Sequence, residues 1–399
     1  MTGRDPLEEH RASTPLELLF DLTFVVAFSQ ISSQTARFLE VDDLRTALIS
    51  FVFSTFAVGW AWINYSWLAS AYDNDDVFFR IATLVEMVGV LVMALGIPPF
   101  FHSVALGHVD LRVMVAGYVV MRVAAVALWI RAAINDPAHR ATCIAYASDI
   151  TIAQIGWVAL LFADPSLGWA IGAGIALILV ELAGPIVAEL HFGRSPWHPH
   201  HIAERYGLLV IITLGEVILG TIVSVSAVVQ SQGWSTEAVL VAAGGTTLAF
   251  GLWWVYFQVP SGPILARHPA RAFAWGYLHQ FLFASLVGIG AGLHVAAQVI
   301  THSAEVDATF ALLCVAVPVL VFEVLLYVLY SLLVLELDPL HIGLFLGGVA
   351  LLAVSVVAVS LGVSIGVALL IVAASPVVTI VGYETVGWRH EQAVLERNS

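Results

Sequence analysis

The chain has 399 residues, of which 60% are hydrophobic and only 11% are charged, and its mean hydropathy is +0.93. This composition excludes a water-soluble globular domain and predicts a polytopic membrane protein. The net charge of −14 excludes a nucleic-acid-binding protein, which needs a basic surface.

Twelve apolar segments are long enough to cross a bilayer, because a helix needs roughly 20 apolar residues to span the hydrocarbon. The predicted spans are 15–37, 46–69, 78–100, 110–132, 142–163, 167–190, 202–229, 237–258, 271–300, 308–334, 339–359 and 362–383. Ser360 and Leu361 alone separate the last two, which could form one broken pair. The pattern therefore predicts an all-α polytopic membrane protein whose partner is the lipid bilayer.

The arginines set the predicted orientation of these spans. With the N-terminus inside, eleven arginines fall on the cytoplasmic side, and Arg37, Arg45 and Arg112 fall outside. Because loops rich in arginine and lysine stay in the cytoplasm, this bias predicts that both termini are cytoplasmic. The two tails would be residues 1–14 and 384–399.

The two halves of the chain match one another at a nearly constant offset. The matched segments are 57–65 (AVGWAWINY) with 249–257 (AFGLWWVYF) at an offset of 192, 183–185 (AGP) with 374–376 (ASP) at 191, and Glu86 with His279 at 193. This agreement favours duplication over a chance likeness between apolar helices. It predicts two six-helix repeats, 15–190 and 202–383, which are parallel because six is even, joined by a cytoplasmic His-rich linker at 191–201.

Three segments carry a resemblance to a known family. They are STPLELLFDLTFVVAFSQ at 13–30, WAWINYSW at 60–67 followed by the acidic run from Asp73, and HHIAERYGLLVIITLGE at 200–216. Together they resemble the low temperature requirement protein A family over most of the chain. The resemblance implies a multi-pass protein of the bacterial cytoplasmic (inner) membrane, named for a growth requirement at low temperature. It brings no catalytic or binding residue to this chain.

The first of these segments combines a helix start with two acids. Thr14 can cap the helix, and Glu17 three residues later completes a capping box. Asp21 lies four residues further on, hence on the same face, and a cap does not explain it. The two acids could bind a cation or relay a proton at the cytoplasmic mouth. A solvated helix end, or a pair with an arginine of a neighbouring helix, explains them equally well.

The third segment begins with His198, His200 and His201, followed by Glu204 and Arg205. His200 and Glu204 have an i,i+4 spacing that can chelate, but two histidines at that spacing with a glutamate between them are absent. We therefore predict no metal and no other cofactor. We expect the histidines to hydrogen-bond the helix start at the cytoplasmic interface. A pH-sensing role is the alternative, since histidine titrates near neutrality.

The second segment is rich in aromatic residues: Trp60, Trp62, Tyr65 and Trp67. Because the span ends on the cytoplasmic side, where tryptophan and tyrosine are enriched at the lipid headgroups, we interpret them as interfacial anchors. A stacking surface in a substrate pocket is the alternative.

Further polar side chains within the spans complete the candidate substrate or ion pathway. They are Gln30, Glu86, Arg122, Asp149, Glu181, Glu216, His279 and Glu323. Such groups are costly in hydrocarbon and mark either pathways or structural ion pairs. Arg122 and Asp149 lie about 14 and 10 Å from the cytoplasmic ends of consecutive spans, which predicts an Arg122–Asp149 pair with Glu86 as the competing partner. Pro185 and Pro376 are predicted to break spans 6 and 12.

Glu216 is the most deeply placed acid of the third segment. It lies about 18 Å beyond Glu204, near the bilayer midplane where transporters bind substrates and coupling ions. Gln30, its repeat counterpart, lies about 20 Å past Glu17, so an acid would face an amide across the repeat axis. Such a site could exchange a proton near neutral pH. A permanently protonated Glu216 that bonds a neighbouring helix is the alternative.

The polar groups in both halves favour a proton-coupled secondary transporter of a small molecule or ion, with its site between the halves. The alternative is a non-transporting membrane sensor, or a stress-tolerance or assembly factor, whose polar groups serve structure alone. The sequence has no nucleophile–base pair and no Gly-rich phosphate loop, so we predict no enzyme activity.

Overall fold

The computed structural model describes residues 1–5, 8, 11–163, 166–335 and 339–387. Within these ranges every regular element is helical, and twelve helices are long and apolar enough to cross a membrane. The α-helices are α1 (Pro15–Glu40), α2 (Leu44–Tyr72), α3 (Val77–Ala105), α4 (Arg112–Asn135), α5 (Arg140–Ala163), α6 (Leu167–Phe192), α7 (Pro199–Gln232), α8 (Thr236–Phe257), α9 (Ser261–Arg267), α10 (Ala272–Ile300), α11 (Ala308–Val334), α12 (Pro339–Ser360) and α13 (Ile365–Gly382). A 3-10 turn (Pro269–Arg271) precedes α10, and a π-helical turn (Tyr383–Gly387) follows α13.

The twelve predicted spans are confirmed as helices, and the seven-residue helix α9 lies between the eighth and the ninth. The last two spans are separate helices because the turn between them contains Gly362 at φ +91°, a backbone conformation that glycine adopts without strain. Helix α7 begins at Pro199, earlier than the predicted 202, since proline suits the first helical position. The tails fall partly outside the described residues, which leave out 6–7, 9–10 and 388–399.

The prediction that two prolines break their helices is wrong. Helix α6 continues through Pro185 to Phe192, and α13 continues through Pro376 to Gly382. Both prolines are buried, and Pro376 lies against Gly251 of α8. Membrane helices tolerate proline because neighbouring helices and small local adjustments accommodate the freed backbone carbonyl.

The chain divides into two compact units. The first contains the described residues of Met1–Ile31 and Leu48–Arg205, and the second contains Ser32–Ala47 and the described residues from Tyr206 onward. In the first unit α3, α4, α5 and α6 pack consecutively. Helices α3 and α4 approach closely where Gly89 faces Gly117, since a Cβ on either would collide with the backbone of the other helix.

In the second unit α10 packs on α11, α11 on α12, and α13 on both α8 and α12. Helices α10 and α11 touch at Gly292, where a Cβ would meet the carbonyl of Cys314. Small residues therefore allow tight helix contacts in each unit. Such contacts are usual in a membrane, where no hydrophobic effect drives helices together. The parallel six-helix repeat stays a prediction.

Asp76 fixes the start of α3 in the first unit. Its Oδ1 accepts the Phe79 amide at 3.0 Å, and Arg131 donates to Oδ1 and Oδ2 at 2.8 and 2.6 Å. The hydrogen bonds from Arg131 hold the pKa of Asp76 at about 2. Because the folded pKa is depressed, this contribution to stability is present above the ordinary pKa of the carboxyl and is lost as pH falls from about 4 towards 2.

We expect Asp76→Ala to lower the free energy of unfolding by about 1 kcal/mol at pH 7, because it removes the cap of α3. Asp76→Asn keeps an acceptor for the Phe79 amide and should cost less, since the half-exposed ion pair with Arg131 contributes little. Thermal unfolding of the purified variants at pH 7 and pH 3 measures the contribution of the cap and the contribution of the ion pair. Equal stability of Asp76→Ala and the wild type at pH 7 would contradict the assignment of the cap.

Candidate functional site

The α1–α7 ion cluster comprises Glu17, Asp21, Trp62, His201 and Arg205, all in the first unit. Side chains from three helices thus meet: two from α1, one from α2 and two from the first turns of α7. None of the five has measurable solvent exposure. Each comes from one of the three segments that carry the family resemblance.

Glu17 both caps α1 and contacts a histidine. The Thr14 amide donates to Glu17 Oε2 at 2.8 Å, and the Glu17 amide donates to Thr14 Oγ1 at 3.2 Å. This is the predicted capping box. The carboxylate also lies 3.2 Å from His201 Nε2, so capping is only part of its role.

Asp21 forms a two-point ion pair with Arg205. Arg205 Nη1 donates to Oδ2 at 2.8 Å and Nη2 to Oδ1 at 2.7 Å. Trp62 Nε1 donates to the same Oδ1 at 2.7 Å, and Arg205 Nη2 also reaches Ser66 Oγ at 3.4 Å. Of the alternatives left open for the two acids, Asp21 forms the pair with an arginine of another helix, and the solvated helix end is wrong for this residue. Every oxygen of this carboxylate has a donor, as a buried charge requires.

His198 provides the hydrogen bond at the start of α7 that we predicted for the histidines. Its Nδ1 accepts the His201 amide at 3.2 Å, while its Nε2–H lies 2.8 Å from the Glu8 carbonyl. Burial lowers the pKa of His198 below its ordinary value, which matches this neutral arrangement. His200 and Glu204 are exposed, and Glu204 accepts the Ser13 amide at 3.1 Å.

The two ring nitrogens of His201 differ in their hydrogen bonding to the described residues. Nε2 faces the Glu17 carboxylate, and Nδ1 has no hydrogen-bond partner among the described residues. With Nε2–H donating to Glu17, Nδ1 carries the lone pair of the neutral ring. The arrangement can therefore take up a proton on Nδ1 and form an imidazolium directly beside Glu17.

Arg11 is a buried cation near this cluster that the sequence did not single out. Its Nη2 donates to the Ala69 carbonyl at 2.7 Å, and the residue is 6% exposed. Burial lowers the pKa of Arg11 to about 10, while the charges of Glu17 and Asp73 oppose that shift. Its position three residues before the Thr14 cap is a signal that could have suggested a role at the helix start.

The interfacial interpretation of the α2 aromatics is wrong. Trp60, Trp62 and Tyr65 are at most 1% exposed and Trp67 is 6% exposed, so their rings lie inside the protein. Besides the bond from Trp62 to Asp21, Tyr65 stacks on Phe20 of α1 with 3.7 Å between ring centroids. Trp62 and Tyr65 therefore pack on α1 beside the α1–α7 ion cluster.

A second cluster in the first unit is built on Arg122 of α4. Arg122 Nη2 lies 2.7 Å from Glu181 Oε2 of α6, and Trp157 Nε1 of α5 donates to Glu181 Oε1 at 2.7 Å. The hydroxyl of Tyr118 bonds both Glu181 and Arg122. Arg122, Glu181, Tyr118 and Trp157 are all at most 7% exposed.

The predicted pairing of Arg122 with Asp149 is therefore wrong, and Glu86 is not its partner either. The Asp149 carboxylate instead lies against Gly184 of α6, in the space that a Cβ would fill. Glu86 is 2% exposed, and its Oε1 has no hydrogen-bond partner among the described residues. Helical rise places Glu181 about 16 Å from the end of α6, a distance similar to that of Arg122 from the end of its span. The prediction missed this partner because it considered only helices that are consecutive with α4 in the chain.

The candidate residues of the second unit occupy separate places. Tyr256 donates to His279 Nε2 at 2.9 Å, and His279 Nδ1–H donates to the Trp275 carbonyl at 2.8 Å. Ser375 donates to Glu323 Oε1 at 2.5 Å, whereas Glu323 Oε2 has no hydrogen-bond partner among the described residues. Glu216 is 2% exposed and packs against Gly290 of α10.

Gln30 is half-buried in α1. Two expectations of the repeat stay predictions. One is that Gln30 and Glu216 face each other across a repeat axis, and the other is that Glu86 and His279 are equivalent.

Fold and site together define a polytopic α-helical membrane protein that buries ion pairs between its helices. The chain belongs to the bacterial low temperature requirement A protein (LtrA) family, whose sequence model matches residues 12–375. This match confirms the resemblance of the three segments.

One curated relative is similar over part of the chain. It is a protein of Rhizobium meliloti (strain 1021) that carries the name Uncharacterized protein RA0937. The two are 29% identical over 264 residues, which cover 64% of this chain and 60% of the relative's length. No solved structure matches the chain.

Proposed function

We propose that this chain is a proton-coupled secondary transporter of the bacterial cytoplasmic membrane, with both termini on the cytoplasmic side. The observation that carries the proposal is the His201 imidazole, which is fully buried, bonded to Glu17 through Nε2 and without a hydrogen-bond partner at Nδ1 among the described residues. An ionisable group at such a position within membrane helices is characteristic of proton relays.

Charge balance explains how a proton would act in the α1–α7 ion cluster. Asp21 and Arg205 form an internally neutral pair that fixes α1 against α7. The Glu17–His201 pair carries one negative charge when the ring is neutral and none when Nδ1 binds a proton. Uptake of a proton therefore changes the buried charge by one unit at a helix contact, which can bias two arrangements of those helices.

Two buried acids elsewhere support a relay. Glu86 in α3 and Glu323 in α11 each keep one carboxylate oxygen without a hydrogen-bond partner among the described residues. A structural ion pair would engage both oxygens, as Asp21 does. Acids placed in this way suit a group that gains and loses a proton during a cycle.

The test combines a ligand screen with His201→Gln. We expect a substrate to raise the melting temperature of the purified protein by an amount that depends on pH, since ligand binding stabilises the folded state by mass action. Glutamine keeps a donor near Nε2 and removes titration, so His201→Gln should bind the ligand with no pH dependence. His200→Gln, on the exposed neighbour, is the matched control and should behave as the wild type.

Function in cells decides the proposal when no ligand is found. A deletion strain supplied with His200→Gln should recover fully, and one supplied with His201→Gln should not. If His201→Gln restores growth as well as the wild type at every pH, His201 is structural and the proton-coupled proposal is dropped. Ligand binding without proton movement in liposomes would instead indicate a sensor.

A further inference from the structure

A small pocket lies in the second unit where α8, α11 and α13 end and α12 begins, and we call it the α8–α11–α13 pocket. Its cavity volume is about 40 Å³. A single water needs only roughly 10–15 Å³ of such volume, so the pocket can hold a group of several non-hydrogen atoms. Tyr327 and Tyr383, which line it, are half-buried, so a ligand can reach their ring surfaces.

Four aromatic side chains form much of the wall of this pocket: Tyr327 and Tyr330 of α11, His341 of α12, and Tyr383 just after α13. The Tyr327 and His341 rings meet at 67° with 6.5 Å between their centroids. The Tyr330 and His341 rings meet at 32° with 4.8 Å between their centroids. Rings at such different angles provide separate walls of one cage. The face of an aromatic ring carries partial negative charge and attracts a cation.

The charge beside the pocket is negative. Gln258, a lining residue, donates through Nε2 to Glu384 Oε1 at 3.4 Å, and Trp254 Nε1 donates to the same oxygen at 3.3 Å. Within the described part of the chain, no arginine lines the pocket. An anionic ligand would therefore lack a counter-ion and be repelled by the Glu384 carboxylate, whereas a cation would be attracted to it.

The remaining lining residues select the kind of cation. Val255, Val259 and Leu326 are apolar. The hydroxyls of Tyr327 and Thr379 lie 3.2 Å apart and hydrogen-bond one another. A hard metal cation or a primary ammonium ion needs several oxygen ligands or acceptors, and the described lining supplies few. A methylated ammonium ion needs none, because its methyl groups spread the positive charge over a surface that contacts ring faces and apolar walls.

We propose that the α8–α11–α13 pocket binds a trimethylammonium group, with its methyl groups against the aromatic rings and the Glu384 carboxylate as the nearby counter-charge. The same group occurs in a free solute such as choline and in the headgroup of phosphatidylcholine. A pocket at the ends of membrane helices is within reach of both sources, and the experiment separates them. This site does not depend on the transport proposal.

Calorimetric titration of the purified protein with choline, in nanodiscs of phosphatidylglycerol, tests the proposal. The neutral isostere of choline, in which a carbon atom replaces the nitrogen, has the same shape without the charge. It should bind about tenfold more weakly than choline or less tightly still. Equal binding of choline and its isostere, or no binding of choline, would overturn the proposal.

Nanodiscs of phosphatidylcholine distinguish the two sources of the group. Weaker choline binding in these nanodiscs would show that the lipid headgroup occupies the pocket. Unchanged binding would show that the pocket takes a free solute. Either result supports a site for a trimethylammonium group.

Tyr327→Leu should weaken choline binding about tenfold, because it removes one ring of the cage. Tyr327→Phe keeps the ring and should retain most of the affinity. Tyr277→Leu is the matched control, since Tyr277 is a half-buried tyrosine of α10 outside the pocket, and it should bind choline as the wild type does. Equal losses in Tyr327→Phe and Tyr327→Leu would show that the hydroxyl binds the ligand, which would overturn the cage. The comparison of choline with its isostere needs no variant, so it decides the question even if Tyr327→Leu fails to fold.

Discussion

Arg205→Met is expected to lower the free energy of unfolding by roughly 3–5 kcal/mol, because it leaves Asp21 as an unpaired buried charge. Neither side chain has measurable exposure, and Arg205 supplies two of the three hydrogen bonds that Asp21 accepts from the described residues. Arg205→Lys should also destabilise, since an ammonium group cannot match both carboxylate oxygens as a guanidinium does. Equilibrium unfolding in mixed micelles, followed by tryptophan fluorescence, measures the loss.

Glu204→Gln is the matched control for this prediction. Glu204 precedes Arg205 in α7, yet it is exposed and accepts the Ser13 amide alone among the described residues. Its replacement should change the free energy of unfolding by less than about 0.5 kcal/mol. If the two substitutions cost the same, the Asp21–Arg205 pair does not stabilise the fold.

Arg122→Met should have an effect of similar size, roughly 3–5 kcal/mol, because it leaves Glu181 without its counter-ion inside the first unit. Glu181 would keep the bonds from Trp157 and Tyr118, which are neutral donors and do not replace a charge. The same unfolding measurement applies.

A double-mutant cycle identifies the partner of Arg122. Arg122→Met combined with Glu181→Gln should cost less than the sum of the single losses, since the second change removes the stranded charge. The same cycle with Glu86→Gln should be closer to additive, because Glu86 shares no hydrogen bond with Arg122 among the described residues. Additive losses with Glu181 would show that the observed pair carries no coupling energy.

Local sequence rules predicted part of the α1–α7 ion cluster. The capping box of Thr14 and Glu17 was predictable because both partners lie within one helical turn. Asp21 could be recognised as an acid that a cap does not explain, and a pair with an arginine of another helix is one of the interpretations that the sequence allows. The contact of Glu17 with His201 was not predictable, because 184 residues separate the two in the chain.

The aromatic residues of α2 show why burial could not be assigned from composition. Tryptophan and tyrosine near the end of a membrane helix suit a lipid interface and a protein interior equally well, because each ring combines an apolar body with a polar tip. Trp62 is interior because Asp21 of α1 accepts its N–H. Only the packing of α1 against α2 distinguishes the two environments.

The sequence by itself determined the twelve helices and their approximate ends, because crossing the hydrocarbon demands apolar length and internal backbone hydrogen bonding. It also predicted how far along each helix the polar residues lie, since helical rise converts residue number into distance. The tertiary structure alone decided that Arg122 pairs with Glu181 and that α6 and α13 stay continuous through their prolines. Rise gives depth but not which helix is adjacent or which way a side chain faces, and those depend on how the helices pack.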